Sequence, residues 1–378
     1  MKSKNSQKNN SQVLSNHKMK LAQDIINSDI KDVVKELKTE INELSGKTIL
    51  ITGSNGLLGS YIVDTIKYIN DNRILDKPCK AIGINRSKIK DSSRNFHVVS
   101  DKNFAFIEHD IAYSLAIDKK IDYIFHCAGP SSPVVFQKYP INTIDVNVNG
   151  TRWLLELAKE QNVESMVYLS SGEIYGNPDP DNTPTPETYN GNASPFDRRA
   201  CYIESKRLAE TLCRIYYENF DVHVKIARPF VIYGPGVKTT DGKVLSDFMK
   251  YAISGKPIEM LSEGKDLRSD CYISDATIAF LKILLSDKEG EVYNVGSDKE
   301  EFTIKQLAEK IHKICGIDTN PIYNGSPVPT HLKSAPKRFS ADITKIRNYL
   351  NFSPKVDLET GLKRTIEWNK LILETTNE

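Results

Sequence analysis

The sequence predicts an α/β protein built on a doubly wound parallel sheet, with a smaller α/β C-terminal substrate lobe. Three observations predict it. An apolar β-branched run, Thr48–Thr52 (TILIT), leads into the glycine-rich TGSNGLLGS and then into a helical pattern reaching about Ile69. Short apolar strands then alternate with helical stretches as far as Pro229. Beyond Pro229 the alternation gives way to turn-rich segments and short helices.

Taken in order, residues 1–20 hold Lys, Asn, Ser and Gln and no acid, the composition of a disordered basic tail. Residues 21–45 read as a helical extension. Leu21, Ile25, Ile26, Ile30, Val33, Val34, Leu37, Ile41 and Leu44 recur at helical spacing, giving a face to pack on the following domain or on a second subunit. Residues 46–228 form the expected dinucleotide-binding domain. Its further strands are Lys80–Ile84, Phe104–Ile107, Tyr123–His126, Ser165–Leu169 and Val222–Ala227, with helices over 140–160 and 200–219. Residues 229–378 mainly supply the substrate lobe, with helices over 247–254, 303–315 and 357–373. The proline-rich Asn177–Pro186 reads as a surface loop.

Composition narrows the function. Among 378 residues, Lys and Arg number 51 and Asp and Glu 49, a net charge of +2 that lacks the footprint of a nucleic-acid or membrane-surface binder. The six cysteines are scattered, without CxxC pairs or zinc-type spacing, so reduced cytoplasmic thiols and no metal site are expected. No apolar run approaches the length of a membrane span, and the N-terminal lysines are not followed by the apolar core of a secretory signal.

Gly53, Gly56 and Gly59 follow the first strand directly and open a helix. Gly53 suits a tight turn, Gly56 lets backbone N–H groups approach a pyrophosphate, and Gly59 lets helix and strand pack closely. The helix N-terminus favours the phosphate charge, and Asn55, Leu57 and Leu58 complete the expected cradle. The second strand ends in Asn85-Arg86 rather than in an acid. Asn85 can bond a ribose hydroxyl and Arg86 could accept a 2′-phosphate, so this stretch does not exclude NADP. Asp110 and Ile111 are placed at the adenine edge, and the small Ala128 and Gly129 suit close approach of a cofactor. His126 reads as a core histidine.

Tyr202 and Lys206 lie four residues apart on one helical face (YIESK). A neighbouring ammonium and a positive nicotinamide ring could together lower the phenol pKa. Moving it from about 10 to about 7 takes roughly 4 kcal/mol and makes it a general base. Ser170 and Ser171 end the strand of VYLSSGEIYG, where a hydroxyl can hold a substrate hydroxyl during hydride transfer.

With these residues the chain resembles the extended short-chain dehydrogenase/reductases that act on nucleotide sugars, and most of all the UDP-glucuronate decarboxylases. The resemblance spans roughly 47–370 and rests on TGSNGLLGS, HCAGPSSP, NVNGTRWLLELAK, SSGEIYG, NASPFDRRACYIESKR, ARPFVIYGPG and DGKVLSDF. It implies a Rossmann domain, NAD as the cofactor, a homodimer, Ser171, Tyr202 and Lys206 as the hydride-transfer triad, with Tyr202 and Lys206 also at the cofactor, and Ser131, Ser132, Glu173 and Arg268 at the substrate, with Glu173 also catalytic. The related 4,6-dehydratases place an Asp where this chain has Gly172, which favours decarboxylation over water elimination. Two positions depart from the family: Val231, often Asn, and Gly236, often Arg. The implied chemistry is oxidation at carbon 4, loss of carbon dioxide from the resulting β-keto acid, protonation of carbon 5 and return of the hydride. A 4-epimerase or a 4,6-dehydratase shares the first oxidation. A non-catalytic cofactor-binding protein on the same fold is the reading of another class.

Overall fold

The structure, a computed structural model, describes residues 2–91, 93–239, 241–323, 325 and 335–376. It opens with helix α1 (Lys2–Leu37). Residues 2–20, expected as a disordered basic tail, form the first half of this helix. They contain neither Gly nor Pro, so a helix anchored by its second half propagates through them at little cost. Anchoring comes from Ala22, Ile26, Ile30, Val33 and Leu37, all buried. Ile41 and Leu44 continue the apolar face in a short 3₁₀ turn.

Seven parallel strands form the central sheet. β1 (Thr48–Thr52), β2 (Lys80–Asn85), β3 (Phe104–Glu108), β4 (Tyr123–His126), β5 (Ser165–Leu169) and β6 (Val224–Pro229) alternate with α2 (Leu57–Asp71), α3 (Pro133–Lys138), α4 (Pro140–Gln161) and α5 (Ala200–Phe220). The spatial order β3-β2-β1-β4-β5-β6 reverses direction at β1/β4, the crevice where doubly wound sheets bind ligands.

The lobe adds the two-residue strands β7 (Ile232–Tyr233), β8 (Glu259–Met260), β9 (Leu267–Arg268) and β10 (Cys271–Tyr272), with α6 (Val244–Ile253) and α7 (Ile273–Leu285) among them. The chain then returns to the sheet: β11 (Val292–Val295) pairs in parallel with β6 as its seventh strand. β12 (Phe302–Thr303), α8 (Ile304–Cys315), β13 (Ile322–Tyr323), β14 (Arg338–Phe339), α9 (Thr344–Leu350) and α10 (Leu358–Thr376) complete it.

The division expected at 228/229 is thus crossed. α7 is apolar on nearly every side, so it is buried, packed on β5 and β6 and covered by α1. The proline-rich loop is less superficial than expected, because Thr185 is buried and bridges to Ala341.

Helix α1 joins both halves through one buried acid. Asp29 Oδ2 accepts from Tyr61 Oη of α2 at 3.0 Å and from Tyr272 Oη of β10 at 2.8 Å, and Oδ1 accepts from Arg364 of α10 at 2.7 Å.

Candidate active site

Of the expected cofactor residues, Tyr202 and Lys206 lie on α5 and Asn85 ends β2, while the others lie at α2's glycine-rich entry or just beyond the carboxyl end of a strand. Gly53 has φ +66°, and a Cβ there would stand 3.0 Å from the Ala128 backbone. A Cβ on Gly59 would lie 2.5 Å from Gly53 O, so only glycine allows α2 to start this close to β1. Gly56 caps α2 with no side-chain acceptor, leaving the first-turn amides to a ligand. That cradle suits a pyrophosphate.

Asn85 is fastened to the turn: Oδ1 accepts from Asn55 N at 2.9 Å and Nδ2 donates to Ser54 Oγ at 2.8 Å. Asn95, which sequence reasoning did not single out, donates to Ser54 O and to Asn55 Oδ1 and braces the same loop. Arg86 is exposed, Asp110 caps its own turn by accepting from Ala112 N, and Ile111 is buried against Gly150 of α4. The side chain of Ile111 is thus taken up by packing. Gly236 has φ +100°, and a Cβ there would lie 3.4 Å from Leu57 and 3.8 Å from Arg94 Nε. Arg94, from the loop after β2, therefore approaches the position where the resemblance implies an arginine.

At the end of β5, Ser171 caps a 3₁₀ turn by accepting from Glu173 N at 3.1 Å. Its hydroxyl also bonds Tyr202, whose ring stacks on Phe136 at 4.9 Å. Burial pushes the Tyr202 phenol up to about 12, and the bond to Ser171 only partly offsets this. Lys206 does not pull it down. Its Nζ donates to Leu169 O at 2.7 Å, lies 4.8 Å over the Tyr168 ring and 5.9 Å from the Tyr202 ring, and burial lowers it to about 8. In the protein alone, desolvation outweighs the cation.

Two further residues belong here. Asn147 of α4 is buried and donates to Ser205 Oγ, while its Oδ1 has no partner. A Cβ on Gly129 would stand 2.8 Å from that Oδ1 and 3.6 Å from Lys206 Nζ, so these three residues meet. A buried Asn amid an apolar helical face was the available signal. Arg199, also buried, donates through Nε to Glu173 Oε2 at 3.1 Å and pairs with it through Nη2. Arg268 lies within reach of the charges of Asp266, Asp270, Glu173 and Arg199, and burial holds its pKa below the ordinary guanidinium value.

Ser132 is buried and donates to Asp241 O at 2.7 Å, while the exposed Ser131 faces Lys243 at 3.4 Å. His126 is a core residue, bonded to Thr52 and Thr151 and driven to about 3 by burial and Lys206. At Gly172 a Cβ would stand 2.8 Å from the Phe230 ring, which is itself packed on Phe339 and Tyr175.

The sequence model of the NAD dependent epimerase/dehydratase family matches residues 49–296. UDP-glucuronic acid decarboxylase 5 of Arabidopsis thaliana is 34% identical over 318 residues, 84% of this chain and 88% of that protein. UDP-glucuronic acid decarboxylase 1 of Xenopus tropicalis is 32% identical over 337 residues, 88% of this chain and 75% of that protein. UDP-glucuronic acid 4-epimerase from Bacillus cereus, solved with UDP-glucuronic acid and NAD, superimposes with a TM-score of 0.70 at 25% identity, covering 85% of this chain and 99% of that one. With its glycine-rich cradle at the head of α2 and its Ser171–Tyr202–Lys206 group at the end of β5, the chain belongs to the NAD-dependent epimerase/dehydratase family, nucleotide-sugar modifying enzymes whose cofactor is NAD.

Proposed function

We propose that the protein is an NAD-dependent nucleotide-sugar decarboxylase acting on UDP-glucuronate or a closely similar sugar. The observation that carries this reading is the pairing at residues 172 and 173. Phe230 leaves no room for an acid side chain at 172, while Glu173 sits in a charged group with Arg199 and Arg268. Elimination of water needs a proton donor for the departing hydroxyl, whereas loss of carbon dioxide needs a held carboxylate and a stabilised enolate. The identities of the relatives support the same choice.

In this reading Gly53, Asn55, Gly56, Leu57, Leu58, Asn85, Ala128 and Gly129 hold NAD, which supplies a hydride acceptor and a positive ring. Ser171 orients the carbon 4 hydroxyl and Tyr202 takes its proton. Arg268 grips the carboxylate through a bidentate guanidinium. When the carbon 5–carboxyl bond breaks, its electron pair moves into the ketone. Ser171 and Tyr202 stabilise the resulting oxyanion, as preorganised donors do. Carbon 5 then gains a proton. Glu173, held by Arg199, acts at this stage.

Mass spectrometry after incubation with UDP-glucuronate and NAD tests the reading. The expected product has lost carbon dioxide. Loss of water points to a dehydratase, and unchanged mass with inverted carbon 4 to an epimerase. With Glu173→Gln, absorbance of reduced nicotinamide should accumulate while carbon dioxide release slows. Release at the normal rate removes Glu173 from the chemistry.

The protein is also proposed to act as a homodimer in a reducing cytoplasm. The outer faces of α4 and α5 carry exposed Ile141, Ile144, Leu208 and Ile215, and Ile144 and Leu208 line a groove of about 710 Å³. Such a patch fits a second copy of the chain. The six cysteines are unpaired, and among the described residues no helix is long and apolar enough to cross a membrane. Light scattering should give twice the chain mass, and Leu208→Glu should give the monomer.

A further inference from the structure

Asp270 has no part in the chemistry above, yet it sits beside it. The segment from β9 to β10 is extended, so Arg268 and Asp270 project to one face and Ser269 to the other. Ser269 is buried and donates to Ser297 O, which fixes that alternation. Cys271 N donates to Val231 O at 2.8 Å, tying the segment to the chain that leaves the carboxyl end of β6. Arg268 in turn lies within reach of the charges of Asp270, Glu173 and Arg199.

Asp270 Oδ1 is sheltered from solvent and has no hydrogen-bond partner. The residue as a whole is half-buried. Arg268 lies close enough for its charge to act on Asp270 but does not bond Oδ1, and its Nη1 donates to Leu267 O at 2.7 Å. An unpaired buried carboxyl works against folding, and such local conflicts collect at functional sites.

We infer that Asp270 is a specificity-determining residue of the nucleotide-sugar site, its carboxyl bonding a hydroxyl of the substrate while Arg268 takes the neighbouring anionic group. This inference rests on the proposed nucleotide-sugar reading. An acid beside an arginine selects a ligand that offers an anion and a hydroxyl close together. It disfavours a ligand that is all anion. Burial raises the Asp270 carboxyl to about 7, with Arg268 opposing. The groups around it are Arg268 on its own strand, Tyr233 on β7 and Cys271 on β10, with Asp266, Glu173 and Arg199 around Arg268.

The test is calorimetric binding of UDP-glucuronate and of inorganic diphosphate to the wild type, Asp270→Asn and Asp270→Ala. Asp270→Ala should lose about 10-fold or more in UDP-glucuronate affinity, as expected for one hydrogen bond to a charged group. Its affinity for inorganic diphosphate should hold or improve. In turnover, KM should rise while kcat changes by less than about threefold, with Asp270→Asn intermediate. Both variants should melt no lower than the wild type, because the orphaned acid is gone. Since its folded pKa is raised, the acid favours the folded state below about pH 4 and loses that contribution as pH rises through about 7. The stability advantage of Asp270→Asn over the wild type should therefore grow across that window.

Equal binding of UDP-glucuronate by wild type and Asp270→Ala overturns the role of Asp270 alone. So does an equal loss of affinity for both ligands, which would mean that Asp270 merely props up Arg268. A wild-type protein that binds no nucleotide sugar overturns this inference and the proposed function together.

Discussion

Replacing Tyr202 by phenylalanine lowers turnover by about 10²–10⁴-fold and leaves NAD affinity unchanged. The phenol is the group proposed to take the substrate proton, bonded to Ser171 and stacked on Phe136. The cradle proposed for the cofactor, at β1 and α2, keeps all its groups. The variant should melt as the wild type does, since the ring and its stacking survive. Near-normal turnover would remove Tyr202 from the chemistry. The same residue makes a spectroscopic prediction. Without cofactor the phenol ionises at about 12, because burial penalises the phenolate. The positive nicotinamide ring should favour the phenolate, so ultraviolet difference titration should show ionisation moving to lower pH when NAD is added. No movement would mean that the base is activated by another group.

The second large effect is on stability. Asp29→Ala should cost about 3–5 kcal/mol and lower the melting temperature by roughly 5–10 °C, because it leaves Arg364 and two tyrosine hydroxyls facing a gap. Burial raises the Asp29 carboxyl despite Tyr272, Arg364 and Tyr61, so desolvation already outweighs what the partners return. Deleting one member of such a cluster is worse than never having built it. A melting temperature within a degree or so of the wild type would show that α1 is an ornament on the fold. The expected result instead makes α1 a clamp between α2, which carries the cofactor turn, and β10, which follows Arg268.

Local chemistry was legible wherever one stretch of chain suffices. TILIT followed by three spaced glycines specifies a strand, a turn and a helix, because apolar β-branched residues and positive φ act within a few residues of themselves. Tyr202 and Lys206 share a helical face by spacing alone, and α4 and α5 run close to their expected bounds. Arg199 was not legible as a partner of Glu173, since 26 residues separate them and only the fold closes that distance. The seventh strand was missed for the same reason. Val292–Val295 is four residues long, and its place beside β6 depends on α7 having first crossed the sheet.

By itself, then, the sequence determined the doubly wound sheet, the glycine cradle and the Ser171–Tyr202–Lys206 group, all written in short-range patterns. Tertiary structure alone decided the charge states. Tyr202 is raised and Lys206 lowered by burial, which depends on everything packed around them. It also decided that no acid fits at residue 172, because the ring that fills the space belongs to Phe230 on another strand's exit. And it set Asp270 beside Arg268, because the direction of a side chain in an extended segment follows from what its neighbour buries. Here that neighbour is Ser269, held by Ser297.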